Sequence, residues 1–219
     1  MNSMERVKTN TERQHNYSRE YKRYDLAIKY GFYLEAVAIS YAIIEDRLVS
    51  MLHYAGIVSR DNETLKVNKA VYPFLRCLLG RTGNASIQVK NVSVKIMLIE
   101  KLLEMNEEKA AAIDLYVKNY RAESGKRGIA REGYMLDLYQ QINRTLNKEK
   151  VIALLDDFDA WAETRNKLTH ALFNNTAEST SEAKESCAKM GYQLSRRFDN
   201  CIADPFKSKN TLRKKYKIQ

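Results

Sequence analysis

Apolar residues recur at steps of three and four over long stretches of this chain. Leu26 and Ile28 lead into Tyr33, Val37, Tyr41, Ile44, Leu48, Met51 or Leu52, and Ala55, tracing one face of a helix that begins near Tyr17. Gly31 is placed to bend or break it, and Gly56 to cap its end. Glu45-Asp46-Arg47 interrupts the apolar run and sets Glu45 at the border of the buried face. Residues 1–15 carry no apolar period and read as a flexible arm. After a polar connection at 59–64, a helix is expected over about 65–79, with Pro73 marking its start or a kink. Residues 80–86 read as a loop. Val89, Val92, Val94, Ile96 and Ile99 suit a strand by composition, but Ile96, Ile99, Leu102 or Leu103, Ile113 and Val117 keep a helical spacing past Tyr120, which favours a helix.

Gly125, Gly128 and Gly133, with Lys126, Arg127 and Arg131, mark a mobile loop. It is no phosphate loop, because Arg121 stands where the first glycine is required. A helix over about 131–146 leads to Asn147, an N-cap for the next helix, about 148–172. That helix shows Val151, Leu154, Phe158, Trp161, Leu168 and Leu172 on one face, and Asn174-Asn175-Thr176 closes it. A last helix, about 178–202, carries Ala183, Cys187, Met190, Leu194, Phe198 and Cys201, and Pro205 stops it. The pattern predicts an all-α fold, an antiparallel bundle of long helices.

Composition narrows the picture without changing it. The 219 residues include only 8 Gly and 2 Pro, too few breakers for an all-β protein. The net charge of +10 favours an anionic partner such as nucleic acid or an acidic membrane surface. Cys77, Cys187 and Cys201 are odd in number and widely spaced, as in a reduced thiol protein rather than a disulfide framework. The first twenty residues lack a secretory signal pattern, and the longest apolar run, Ala36 to Ile44, is too short for a bilayer. A cytoplasmic protein with no membrane contact is expected.

The chemistry concentrates in Arg165-Asn166-Lys167-Leu168-Thr169-His170. On an ideal helix Asn166 and His170 share a face, while Arg165 and His170 point about 140° apart. Arg165 falls in the apolar stripe with Trp161 and Leu168. An arginine there is expensive to bury without a partner, so it is expected to line a cleft or an interface. The plain alternative is an arginine at a bundle edge with a nearby surface histidine. Arg47 and His53 provide a chance pair of similar spacing. The series Asp156, Asp159, Glu163 has the spacing of a solvated helix face more than that of a metal site. The scattered histidines and cysteines lack zinc-ligand spacing, so no metal and no cofactor are expected.

These residues resemble the Arg-x(4–6)-His signature of HEPN-domain ribonucleases, in which the residue after the arginine is often polar. Ile44-Glu45-x-x-Leu48, after Gly31-Phe32-Tyr33-x-Glu35-Ala36, is similar to the first helix of that family. The resemblance covers about 19–55 and 148–202. It implies one HEPN-like domain over 16–203, a four- or five-helix bundle with residues 56–147 as a helical insertion, followed by a basic tail at 204–219. It further implies a homodimer that cleaves RNA without metal, leaving a 2′,3′-cyclic phosphate. Arg165, His170 and Asn166 would form the catalytic set, with Glu163, Glu45 and Thr169 in support. Lys167, and Lys207, Lys209, Arg213, Lys214, Lys215 and Lys217 of the tail, would contact RNA phosphates; a solubilising terminus is the alternative for the tail. A toxin or antiviral effector held by a cognate antitoxin or other regulatory protein is implied too. Leu172 stands where many family toxins carry a modifiable tyrosine. The rival readings are a non-catalytic HEPN-like module that binds RNA or a protein, and a helical scaffold with a fortuitous motif.

Overall fold

A computed structural model describes residues 10–59, 65–80, 87–124, 129–171, 177–208 and 212–218. The chain is mostly helical. Its elements are α1 (Asn10–Lys29), α2 (Tyr33–Tyr54), a small hairpin of β1 (Val58–Ser59) and β2 (Lys66–Val67), α3 (Tyr72–Leu78), α4 (Val92–Leu103), α5 (Glu107–Ser124), α6 (Tyr134–Thr145), α7 (Lys148–Ala171), α8 (Ala177–Phe198), α9 (Asp204–Ser208) and α10 (Leu212–Lys215). The hairpin is antiparallel, with Val58 opposite Val67.

Local chemistry accounts for most of the boundaries. Gly31 (φ +75°) and Gly56 (φ +81°) adopt the left-handed conformation that ends α1 and α2. At the second, the Gly56 and Ile57 amides donate to the carbonyls of His53 and Leu52, both at 2.9 Å, which closes the helix end. Asn147 caps α7 as expected, accepting from the Lys150 amide at 3.0 Å. Asn106 does the same for α5, accepting from Lys109 at 2.8 Å. It therefore divides the single helix expected from Ile96 to beyond Tyr120. The β-branched stretch enters its helix only at Val92.

Two expectations at the ends of the chain are corrected. Residues 10–15 belong to α1 rather than to a flexible arm, and 1–9 lie outside the described residues. Pro205 does not terminate helical structure. A π turn over Asp199–Ala203 leads into α9, which contains Pro205. Asn174-Asn175-Thr176, the expected close of α7, lie outside the described residues.

The chain forms two compact units: residues 1–44 with 156–197, and residues 45–155 with 198–219. These divisions fall inside α2 and α7 and at the end of α8, whereas the family resemblance implies divisions between core and insertion at 55/56 and 147/148.

In the first unit α8 meets the other three helical segments. Tyr24 of α1 donates to the Ala188 carbonyl at 3.0 Å, Tyr33 of α2 to Glu185 at 3.0 Å, and Trp161 Nε1 of α7 to the Cys187 carbonyl at 2.8 Å. The buried Trp161 indole lies so close to Gly191 that a Cβ there would sit 2.5 Å from Cζ2. In the second unit Tyr134 is fully buried, donates to the Ala55 carbonyl at 2.6 Å, and packs edge-on against Phe74 and Tyr216. Asp114 of α5 accepts the Met135 and Leu136 amides at 3.1 and 3.0 Å. It thereby serves the open N-terminus of α6, whose own cap position is Gly133.

Candidate functional site

The second half of α7 carries Arg165, Asn166 and His170 within the first unit. Trp161 anchors it from one turn earlier. Tyr41 of α2 lies against this anchor, its ring 6.0 Å from Phe158 and 6.4 Å from Trp161 between centres. The Arg165 guanidinium sits over the Tyr41 ring, 4.1 Å from its centre. Its Nε and Nη2 donate to Asn166 Oδ1 at 3.2 and 2.6 Å. Arg165 is thus half-buried, its apolar stem in the stripe and its charge on an aromatic face. Among the described residues no carboxylate pairs with it.

His170 is exposed in the last turn of α7, on the face of Asn166. Thr169 is also exposed, and its hydroxyl donates to the Arg165 carbonyl at 2.9 Å, a bond internal to the helix. Glu163 and Lys167 are exposed on the same helix. Burial first, then the charges of Asp156 and Glu163, raise the Asp159 carboxyl above its ordinary range. Among the described residues no group of three or more His, Cys, Asp or Glu side chains is disposed to hold a metal ion.

Glu45 belongs to the second unit. Its carboxylate receives the buried Lys95 ammonium of α4 at 2.5 Å, and Lys95 also donates to the Lys90 carbonyl at 3.3 Å. Glu45 therefore acts there as the counter-charge of a buried lysine. The chance pair resolves in the same unit: Arg47 pairs with Asp199, and His53 faces Arg213.

The described part of the basic C-terminal segment docks through its apolar side chains, while Lys215 stays exposed. Phe206, Leu212, Tyr216 and Ile218 are buried. Arg213 Nη1 lies 2.9 Å from His53 Nδ1 and donates to the His53 carbonyl at 3.2 Å. Lys215 pairs with Asp137, which also accepts the Tyr216 hydroxyl at 2.7 Å. Lys214 and Lys217 are exposed and Lys207 is half-buried, while Lys209 lies outside the described residues.

Tyr41 is the residue that sequence reasoning passed over. By spacing it is one member of the apolar face of α2, and nothing local to it marks a platform for Arg165. Compared with known proteins, the chain matches no family model, no curated protein and no solved structure.

Proposed function

We propose that this chain is a metal-independent endoribonuclease of the HEPN type, with Arg165 and His170 as its catalytic pair. The observation that carries the reading is the Arg165 guanidinium, oriented by Tyr41 and Asn166 and unpaired with any carboxylate among the described residues, on the helix that presents an exposed His170. A positioned guanidinium without a counter-ion suits an anion that arrives from outside. The net charge of +10 agrees with a polyanionic substrate.

RNA carries its own nucleophile. A His170 imidazole takes the proton of a 2′-OH, the 2′-oxygen bonds to the adjacent phosphorus, and the bond from phosphorus to the 5′-oxygen breaks. The leaving oxygen takes a proton from a second imidazole, and the products are a 2′,3′-cyclic phosphate and a 5′-hydroxyl. Arg165 holds the non-bridging oxygens as their charge grows. One helix points Arg165 and His170 about 140° apart. Two copies of the chain, related by a two-fold axis, supply the missing halves. A toxin or defence role under a cognate inhibitory protein is the biological setting that the family resemblance suggests.

Arg165→Ala and His170→Ala should each lower RNA cleavage by about 100-fold or more while the circular dichroism spectrum stays unchanged. Cleavage should survive EDTA and yield cyclic phosphate ends by mass spectrometry. A chain that binds RNA without cutting it would instead be a binding module. The Asn166 amide, which already occupies two guanidinium nitrogens, is the feature that favours this second reading.

A further inference from the structure

Two helices of the second unit face each other with matched side-chain pairs. On α3, Tyr72 and Arg76 stand one turn apart, as do Pro73 and Cys77 beneath them. On α5, Tyr116 and Tyr120 are also one turn apart. Together these six residues line an open cleft of about 60 Å³. Two features separate it from an ordinary packing seam. Tyr116 is 54% exposed, so its ring contributes little to the core. Arg76 pairs with no carboxylate among the described residues. Tyr72 is fixed in place, since its hydroxyl accepts the Ile87 amide at 3.1 Å. A second cation, Lys109, lies near enough to oppose the upward push of burial on the Cys77 thiol.

We infer that this cleft is a stacking site for single-stranded RNA, with a base laid on Tyr116 and a backbone phosphate on Arg76. The inference rests on the ribonuclease reading for its choice of RNA, and adds to it a substrate-holding site on another part of the chain. Size decides the mode of contact. A volume of about 60 Å³ is well under the ~150 Å³ of a cavity that holds benzene, too little to enclose a nucleobase. Only a ring edge enters, and the rest of the base must lie on the exposed tyrosine. Such contact is indifferent to base identity and needs unpaired bases, whose faces a duplex hides. A phosphate on Arg76 is the anionic half of the same nucleotide unit.

The test uses the full chain carrying His170→Ala, so that RNA stays intact, and a fluorescein-labelled twelve-nucleotide single-stranded RNA of mixed sequence. Tyr116→Ala should weaken binding about 5- to 50-fold and Tyr116→Phe by less than about 2-fold, since the stacking face survives in phenylalanine. Arg76→Gln should weaken binding and flatten its salt dependence. Affinity for the same sequence as a duplex should not respond to Tyr116→Ala. Single-strand affinity unchanged in both Tyr116→Ala and Arg76→Gln would overturn the inference, as would a chain that binds no single-stranded RNA. The two proposals separate cleanly. With His170 restored, cleavage together with an indifferent Tyr116 leaves the nuclease and removes the cleft. Tyr116-dependent binding without cleavage does the reverse.

Discussion

The Arg165 guanidinium lies 4.1 Å from the centre of the Tyr41 ring, so the charge that the proposed reaction needs is positioned by an aromatic face rather than by a carboxylate. A carboxylate would hold the arginine as well but would neutralise it. An aromatic face contributes about 0.5 to 2 kcal/mol of attraction and leaves the full charge for an incoming phosphate. Tyr41→Leu should therefore lower RNA cleavage about 3- to 30-fold, while Tyr41→Phe stays within about 2-fold of the parent. Single-turnover rates at saturating RNA make the comparison. Equal loss in both variants would point to the Tyr41 hydroxyl and away from the ring.

Gly191 sits in the middle of α8, where alanine would ordinarily improve helix propensity by about 1 kcal/mol. Here the added Cβ would meet Trp161 Cζ2 at 2.5 Å and Ser40 Cβ at 3.0 Å. The indole is buried and tied through Nε1 to the Cys187 carbonyl, so it cannot swing away. Overpacking of this kind costs about 1 to 3 kcal/mol, which outweighs the propensity gain. Gly191→Ala should lower the urea midpoint followed by fluorescence of Trp161, the single tryptophan. A raised midpoint would show that α8 can shift outward.

How much of this was legible follows from where the signals lie. The long helices α2, α7 and α8 announced themselves through apolar spacing, and Gly56 and Asn147 through the chemistry of helix ends. The break between α4 and α5 was missed because apolar spacing carries across it from Ile96 to Val117. Its signal was local: Asn106 followed by Glu107 and Glu108, an N-cap with acidic residues in the first turn. The first turns of α1 are polar all round, so no apolar period could reveal them. The β1–β2 hairpin has strands of two residues, too short for any alternation. Arg165 was legible as an oddity in an apolar stripe. Its partner Tyr41, more than a hundred residues away, was not, because nothing local marks a tyrosine as a platform. The pairing of Arg213 with His53 and of Lys215 with Asp137 is equally hidden, since a run of basic residues looks alike whether or not it is engaged.

The ion pair of Glu45 and Lys95 is lopsided. The Lys95 side chain is 4% exposed and that of Glu45 is 35% exposed. Removing the carboxylate strands a charge out of water, whereas removing the ammonium leaves a carboxylate that reaches solvent. Glu45→Gln should cost about 2 kcal/mol, below the usual loss for a fully buried pair because Glu45 is partly wet. Lys95→Met should be close to neutral. Thermal melts followed by circular dichroism test the asymmetry. Cleavage per folded molecule should not change in Glu45→Gln. A specific loss of rate would give Glu45 the supporting role that the family resemblance implies.

Tyr24 ties alkaline stability to the contact of α1 with α8. Burial, then the charges of Tyr192 and Asp25, push its phenol from 10.0 to about 12. The neutral hydroxyl donates to the Ala188 carbonyl at 3.0 Å, and a phenolate cannot. A raised folded-state pKa in an acid means stability that is fully present below the unfolded value near 10 and lost as pH rises through about 12. At pH 9, Tyr24→Phe should be less stable than the parent by about 1 kcal/mol, the net worth of one hydrogen bond. Between pH 10 and 12 the gap should close and then invert. Urea midpoints of both proteins by Trp161 fluorescence follow it directly. A gap that stays constant across this window would show that Tyr24 is not held neutral by the fold.

The docked C-terminal segment divides its cations into two kinds. Arg213 and Lys215 are engaged with His53 and Asp137, while Lys214 and Lys217 are exposed and pair with no carboxylate among the described residues. Lys214 and Lys217, with no ion pair among the described residues, are placed to release counter-ions on meeting RNA. Lys214→Gln and Lys217→Gln should each reduce the slope of log affinity against log salt by about 0.7 to 1, with little effect on stability. Arg213→Gln should leave the slope nearly intact and instead lower the stability of the second unit, because His53 loses one of its partners and the buried Leu212, Tyr216 and Ile218 lose an anchor. Fluorescence anisotropy over a salt series, paired with thermal melts, separates the two effects. If Arg213→Gln reduces the slope as much as Lys214→Gln does, the segment lifts off its unit when RNA binds, and the docked form is the resting state alone.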